Sequence, residues 1–140
     1  GSEMCIRDRL KAANEAGVRV VRIFLPSVNA NVQQTIERLR NLITLLQTHF
    51  PEMYILPALT NLYADVPLRV PGDDHFYQDN VLVKAFFTDG YQNNYLPFVR
   101  QVVEAFRDEP QIFAWEIGNE LKLDRGNKAD ENIASWATEL

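Results

Sequence analysis

The chain has 140 residues, 46% of them hydrophobic and 24% charged, which is the composition of a globular domain with its own core rather than of a disordered segment. The net charge is −5 and acidic and basic residues are interspersed, so the basic surface that binds nucleic acid is not expected. No apolar run approaches the roughly 20 residues that span a bilayer, so no membrane partner is expected either.

The first nine residues are predicted to lie outside the natural domain. Residues 1–2 are typical of an expression scar, and residues 4–9 look like translated sequencing-adapter sequence from the broken end of a metagenomic assembly. The domain is therefore expected to cover residues 10–140 and to be a fragment of a longer reading frame. The lone Cys5 excludes an internal disulfide, and two scattered histidines do not predict a metal site.

Helical and strand patterns alternate along the rest of the chain. The periodicity predicts helices over 10–16, 32–50, 80–87 and 90–107, a last helix from about Ile133, and strands over 18–24, 53–59 and 112–117. Apolar stripes mark the expected buried faces: Val32, Ile36, Leu39, Ile43, Leu46 and Phe50 on the second helix, and Tyr91, Tyr95, Phe98, Val102 and Phe106 on the fourth. Gly17 is placed to cap the first helix and Pro97 to kink the fourth. Residues 60–79 are rich in turn residues and predict a long loop, a kind of segment that is often functional.

This order of elements predicts an α/β fold. Alternating helices and strands imply parallel strands joined by crossover helices. About three strands with flanking helices are too few to close a barrel, and they leave open edges and an apolar face. The sequence therefore predicts that self-association, as a homodimer or a larger assembly, completes or covers the sheet.

The segment 112–121 is the main candidate for chemistry, because an apolar strand ends there in Asn119 and Glu120. Glycoside hydrolysis uses two carboxyl groups, which are about 5 to 5.5 Å apart in a retaining enzyme. Strict alternation puts Glu116 on the same side as Glu120 but roughly 13 Å away along an extended strand, so Glu116 is not expected to be the nucleophile. It is expected instead to pair with a cation, with Arg22 as the partner. On spacing alone, a cap for the helix that follows is favoured over catalysis for the Asn-Glu pair.

Two motifs resemble those of clan A glycoside hydrolases. Residues 115–120, Trp-Glu-Ile-Gly-Asn-Glu, are similar to the strand-four motif of the clan, whose fold is a (β/α)8 TIM barrel of roughly 250 residues. This resemblance implies that Glu120 is the general acid/base and that Asn119 binds the sugar 2-hydroxyl. Residues 21–24, Val-Arg-Ile-Phe, resemble the strand-two signature, in which the arginine, here Arg22, supports the nucleophile.

Further residues resemble family five endo-β-1,4-mannanases. Residues 59–63, with Asn61 and Tyr63 as implied substrate-binding residues, look like the strand-three end of these enzymes, and the order and spacing over 74–116 favour mannanase over cellulase. There are two departures. Leu121 stands where the family usually has proline, and a single Asn61 stands where it often has two asparagines.

The resemblance implies a partial TIM barrel, about three eighths of a retaining β-glycoside hydrolase that acts on a β-1,4-linked polysaccharide, mannan rather than cellulose. The implied mechanism proceeds through a covalent glycosyl intermediate and needs no metal or organic cofactor. Relatives are mostly secreted. The family nucleophile lies on strand seven, and no residue of this chain can be carried over to that role, so the isolated chain is expected to be inactive.

Three alternatives are weighed against this interpretation. Trp115 is a candidate sugar platform, but a strand tryptophan more often belongs to the core. The whole chain is alternatively a non-catalytic carbohydrate-binding remnant or a self-assembling half-barrel scaffold. A dinucleotide-binding domain is disfavoured, because no glycine-rich turn follows any predicted strand.

Overall fold

A computed structural model of the chain describes residues 2–25, 31–60, 77–78, 81–82, 91–93 and 95–119. The elements are, in order, α1 (Ser2–Glu15), β1 (Val20–Phe24), α2 (Val32–His49), β2 (Tyr54–Ala58), β3 (Tyr77–Gln78), β4 (Val81–Leu82), α3 (Tyr91–Asn93) and α4 (Tyr95–Ala105). This part of the chain is a mixed α/β fold, as predicted. None of the helices described here has both the length and the apolar character needed to cross a membrane. The predicted helix from Ile133 lies outside the described residues.

The helix α1 is longer than the sequence pattern indicated, because it begins at Ser2 rather than at Leu10. Residues 4–9 are exposed, whereas Leu10 and Ala13 join the hydrophobic core. Gly17 ends the helical region with a φ of 87°, the left-handed conformation that glycine adopts most easily. The cap predicted at Gly17 is therefore confirmed, while the interpretation of residues 1–9 as a leader stays a prediction.

The helix α2 follows its predicted bounds closely. Its N-cap is Asn31, whose side chain accepts a hydrogen bond from the Gln34 backbone N–H at 3.0 Å. At the other end, the Phe50 N–H donates to the Leu46 carbonyl at 2.7 Å and Pro51 prevents a further turn. The predicted apolar stripe packs on the core, with Leu39, Ile43, Leu46 and Phe50 buried and Val32 and Ile36 partly buried.

The helix predicted over 90–107 is present as α3 and α4. Its predicted buried face is confirmed, because Tyr91, Tyr95, Phe98, Val102 and Phe106 are all at most 4% exposed. Pro97 lies in the first turn of α4, where the missing N–H costs no helical hydrogen bond. The apolar stripe therefore directs α4 onto the same core as α2.

The sheet is parallel and has β2 at its centre. β1 pairs with β2 in a register that runs from Val20 opposite Tyr54 to Phe24 opposite Ala58. On the other side of β2 lies the predicted third strand, which makes two isolated parallel bridges, Ile55 to Ile112 and Ala58 to Glu116. The parallel direction of the three segments is thus confirmed, but the strand predicted over 112–117 is not formed as such: in the described part of the chain β1 and β2 make a two-stranded sheet that the third segment joins only through these bridges.

A one-residue bulge interrupts the third segment and explains why it is not a continuous strand. Between the two bridges β2 advances by three residues, from Ile55 to Ala58, while the third segment advances by four, from Ile112 to Glu116. Pro57 lies at this point. Ile55 and Leu59 both donate backbone hydrogen bonds to the third segment, but Pro57, between them, has no N–H to donate. The extra residue therefore falls opposite the position where β2 lacks a donor.

The two faces of the sheet are unequal. One face packs on the helices through Val21, Ile23 and Ile55, which belong to the core cluster or contact it. The opposite face, called here the open face, carries Val20, Arg22, Phe24, Tyr54, Leu56 and Ala58. Val20 and Tyr54 are each 37% exposed, and Phe24 is 51% exposed. The candidate site lies on this open face.

The helix predicted over 80–87 is wrong where the structure describes it. Val81–Leu82 is the strand β4, which pairs antiparallel with β3, and the rest of 80–87 lies outside the described residues. The two strands are separated in sequence by Asp79-Asn80, residue types that favour the tight turns of hairpins. The short apolar run that suggested a helix fits a strand equally well, and its flanking turn residues were the better guide.

Candidate functional site

Arg22 and Glu116 form a two-point ion pair on the open face. Arg22 Nε donates to Glu116 Oε2 at 2.7 Å, and Arg22 Nη2 donates to Glu116 Oε1 at 2.6 Å. Paired, parallel hydrogen bonds of this kind are the strongest contact that arginine makes with a carboxylate. The prediction that Arg22 is the partner of Glu116 is confirmed. With side chains 41% and 30% exposed, the pair is more solvated than a buried barrel-interior pair would be.

The register of the sheet explains how this pair forms across an intervening strand. Phe24, Ala58 and Glu116 lie in one row, because Phe24 and Ala58 are partners and Ala58 bridges to Glu116. Two strand spacings of about 4.8 Å separate the ends of this row. Arg22 extends into the gap, with Cζ 5.0 Å from the centre of the Phe24 ring. Ala58, fully buried in the middle of the row, leaves room for the guanidinium above it.

Asn119 is the third member of this cluster. Arg22 Nη2 donates to Asn119 Oδ1 at 2.8 Å, so a single nitrogen bridges the carboxylate and the amide. The Asn119 backbone N–H donates to the Thr60 carbonyl at 2.9 Å, which fixes this residue at the carboxyl end of β2. The structure therefore brings together two of the predicted site residues, Arg22 and Asn119, with Glu116 between them. We call these three residues the Arg22 cluster.

The expected alternation of side chains is wrong beyond Glu116. A regular strand would place Glu116 and Asn119, three residues apart, on opposite faces. Both contact Arg22, because the chain bends at Ile117. Glu120 lies outside the described residues, and the predicted separation of roughly 13 Å from Glu116 assumes a regular strand.

Arg22 also sets the protonation state of Glu116. Hydrogen bonding from the Arg22 guanidinium, supported by its positive charge, lowers the pKa of Glu116 below the ordinary 4.5, although partial burial acts in the opposite direction. Glu116 is therefore a carboxylate at neutral pH. A group that is ionised and already bound by two hydrogen bonds is a poor proton donor, so Glu116 is unsuited to the role of general acid.

A buried tyrosine supports the cluster from the helix side. The Tyr95 hydroxyl donates to the Ile117 carbonyl at 2.8 Å, and Tyr95 is fully buried. Burial raises the pKa of Tyr95 far above its ordinary value, so the hydroxyl stays protonated and remains a donor. The bend at Ile117 is thus bound to α4, while Glu116 and Asn119 on either side of it are bound to β2. The sequence analysis assigned Tyr95 only to packing and missed this contact.

Of the remaining predicted site residues the structure describes only Trp115, which does not belong to the Arg22 cluster. Trp115 packs against the hydrophobic core and, with Val99 and Val103, lines a groove beside α4. This position agrees with the core alternative for Trp115. Asn61 and Tyr63 lie outside the described residues, as does the proposed acid/base Glu120. Within the described ranges, no group of three or more His, Cys, Asp or Glu residues is arranged to hold a metal ion.

Comparison with known proteins adds a partial similarity. The chain is 40% identical over 55 residues to two proteins named probable mannan endo-1,4-beta-mannosidase F, one from Aspergillus flavus and one from Aspergillus oryzae. The matched stretch is 39% of this chain and spans only 11% of each relative's length. No family model and no solved structure matches the chain. The similarity supports a relationship to glycoside hydrolases and goes no further.

Proposed function

We propose that this chain is part of a retaining β-glycoside hydrolase that acts on a β-1,4-linked polysaccharide, with mannan favoured over cellulose. The observation that carries the proposal is the Arg22 cluster, in which an arginine on one strand engages the asparagine that directly precedes the candidate acid/base. The partial similarity to proteins named as mannan endo-1,4-beta-mannosidases supports the choice of mannan. In this proposal the parallel sheet is a section of a (β/α)8 barrel and the open face is its interior.

Glu120 would act first as an acid and then as a base. It would protonate the glycosidic oxygen as the covalent glycosyl intermediate forms, and then remove a proton from the water that hydrolyses this intermediate. The first step requires a protonated carboxyl group at the working pH. In general, a neighbouring negative charge and burial favour the protonated form of a carboxyl group.

Asn119 would bind the sugar that is being cleaved. Its Oδ1 accepts from the Arg22 guanidinium, so a hydrogen bond from the amide to a sugar hydroxyl has to be donated by Nδ2. A hydrogen bond of this kind contributes most when it strengthens in the transition state. Asn119 would therefore affect the rate of glycosyl transfer as well as substrate affinity.

The isolated 140-residue chain is proposed to lack hydrolytic activity. A retaining enzyme needs a second carboxyl group about 5 to 5.5 Å from the acid/base. Glu116 is not a good candidate, because Arg22 holds both of its oxygens. Measurable mannan turnover by the purified chain, abolished by Glu120→Gln, would contradict this part of the proposal.

Calorimetry with mannohexaose and cellohexaose tests the proposed substrate. Binding of mannohexaose without turnover is expected for a sugar-binding section of a hydrolase, and Asn119→Ala should weaken it. Preference for cellohexaose would correct the substrate. Binding of neither sugar would favour the scaffold alternative, for which the exposed apolar side chains of the open face are the supporting observation.

A longer reading frame from the same locus provides the test of catalysis. The product should hydrolyse mannan, and Glu120→Gln should remove most of that activity. Glu104→Gln is the matched control, because Glu104 is an exposed carboxylate on α4 that pairs only with Arg107 among the described residues. Equal activity of the Glu120 and Glu104 variants would refute the assignment of Glu120.

A further inference from the structure

Glu116 has no direct role in the proposed hydrolysis. It is ionised, and both of its oxygens face the Arg22 guanidinium. It lies on the same short segment as Asn119, on the other side of the bend at Ile117. These two residues have no direct hydrogen bond to each other among those found, but both contact the same nitrogen, Arg22 Nη2.

We propose that Glu116 is a positioning residue, which acts through Arg22 to fix the orientation of the Asn119 side-chain amide. The inference rests on the proposed function, because it assigns to Glu116 the task of presenting Asn119 Nδ2 to a sugar hydroxyl. Glu116 itself would not contact the sugar.

The chemistry of the guanidinium determines which end of the amide faces Arg22. Arginine has only donors, whereas a primary amide has an acceptor end and a donor end of nearly the same shape. Only Oδ1 can accept from Arg22 Nη2, at the observed 2.8 Å. Rotation of the amide by half a turn would bring two donors together. As long as the guanidinium stays in place, Nδ2 points away from it.

Glu116 restricts the orientation of the guanidinium. Arginine is a long side chain that loses considerable rotamer freedom when it is fixed. Phe24 contacts Arg22 only through the face of its ring, at 5.0 Å from Cζ, and this contact allows rotation about the ring normal. The two parallel hydrogen bonds to Glu116 remove that rotation. They therefore set the direction in which Nη2 meets Asn119.

The backbone around Asn119 is fixed independently of Arg22. Asn119 N–H donates to the Thr60 carbonyl, Glu116 N–H donates to the Pro57 carbonyl, and the Ile117 carbonyl accepts from Tyr95. Loss of the Glu116 carboxylate should thus leave the chain path unchanged and affect only side chains. This separation makes a positioning role distinguishable from a structural one.

Nuclear magnetic resonance of the whole, isotopically labelled chain tests the inference. In Glu116→Gln, the Asn119 Cγ and Nδ2 resonances should shift, because the charged donor at Oδ1 is released. The Asn119 backbone amide and its protection from exchange should not change. Asn31 serves as an internal reference, since its Oδ1 accepts from the Gln34 backbone N–H far from the site. Glu104→Gln, which removes an equivalent carboxylate from an exposed pair, should leave Asn119 unaffected.

Two results would overturn the inference. One is an unchanged Asn119 side-chain resonance in a folded Glu116→Gln variant. The other is a change at the Asn119 side chain accompanied by loss of protection at its backbone amide, which would show a structural role. If Glu116→Gln does not fold, Glu116→Asp keeps the charge but withdraws the carboxylate by one methylene group, and the same comparison applies.

The spectra are recorded without sugar, so they do not depend on the proposed function. A mannohexaose titration then tests that function separately. In the wild-type chain the Asn119 Nδ2 protons should shift on binding, and in Glu116→Gln the affinity should fall. Failure of mannohexaose to bind the wild-type chain would count against the proposed function, whatever the sugar-free spectra show. Equal affinity of the two proteins would refute the positioning role.

Discussion

The strength of the Arg22–Glu116 interaction can be measured with a double-mutant cycle. The single variants are Arg22→Met, which retains an apolar stem against Phe24, and Glu116→Gln, which retains the shape of the carboxylate. The cycle subtracts the cost of each change alone, including the loss of the Arg22 contact to Asn119. What remains is the coupling free energy of the pair.

The exposure and geometry of the pair set the expected magnitude. Exposed ion pairs contribute about 0.2 to 1 kcal/mol, while removal of one partner from a fully buried pair costs roughly 3 to 5 kcal/mol. The Arg22 and Glu116 side chains are 41% and 30% exposed and share two short hydrogen bonds. We therefore expect a coupling of about 1 to 2 kcal/mol, above the surface range and well below the buried one.

Urea denaturation followed by circular dichroism is the assay. With a typical m-value of about 1 to 3 kcal/mol/M, the expected coupling corresponds to a non-additive midpoint change of roughly 0.3 to 2 M. The control cycle uses Arg107→Met and Glu104→Gln, whose pair is 3.3 Å apart with side chains 68% and 67% exposed. A coupling at Arg22–Glu116 no larger than that of the control would refute the view that the two-point contact holds Arg22 in place.

Three further predictions follow from the same geometry. The pKa of Glu116 is lowered in the folded chain, so the stability advantage of the wild type over Glu116→Gln should be complete above the ordinary value of 4.5. That advantage should disappear as the pH falls through the lowered pKa. A constant difference in urea midpoint between pH 7 and pH 3 would contradict this prediction. Ala58→Leu should displace the guanidinium of Arg22 and abolish most of the Arg22–Glu116 coupling, whereas Ala58→Gly should preserve it. A full coupling in Ala58→Leu would show that the guanidinium does not need the space above Ala58. The exposed apolar side chains of the open face should drive self-association, so light scattering at micromolar concentration should show a dimer or larger species. Val20→Glu should weaken this association. A monomeric wild-type profile would contradict the prediction.

Residue patterns predicted the elements well where long periodic segments were available. The stripe from Val32 to Phe50 and the stripe from Tyr91 to Phe106 each identified both a helix and its buried face. Each stripe is specified by many residues at steps of three and four, so no single local preference can override it. The short run at Val81–Leu82 had no such redundancy, and its prediction as a helix was wrong.

The ion pair was predictable because opposite charges on predominantly apolar strands need partners. Arg22 and Glu116 are both flanked by apolar residues on predicted strands, so each was an obvious candidate for the other. The contact to Asn119 was not predictable in this way, since it depends on the bend at Ile117. Nothing in a period-two pattern indicates where a strand stops alternating.

The sequence does contain an indication of the bulge. Pro57 falls in the middle of a predicted strand with a neighbour on each side, and proline in such a position is found mainly at bulges or edges. Pro57 has no N–H to donate towards the third segment. An extra residue on that segment means that no carbonyl group there has to face Pro57 in place of a donor.

The bulge and the bend together account for the composition of the site. In a regular parallel strand, residues three apart face opposite sides, so an arginine on a neighbouring strand could contact Glu116 or Asn119 but not both. The bulge opposite Pro57 sets Glu116 in the same row as Ala58 and Phe24, and the bend held by Tyr95 returns Asn119 to the open face. One guanidinium can then bind a carboxylate and an amide at once. The chemistry of this site therefore depends on two departures from regular strand geometry, each stabilised by a residue, Pro57 or Tyr95, that does not belong to the Arg22 cluster.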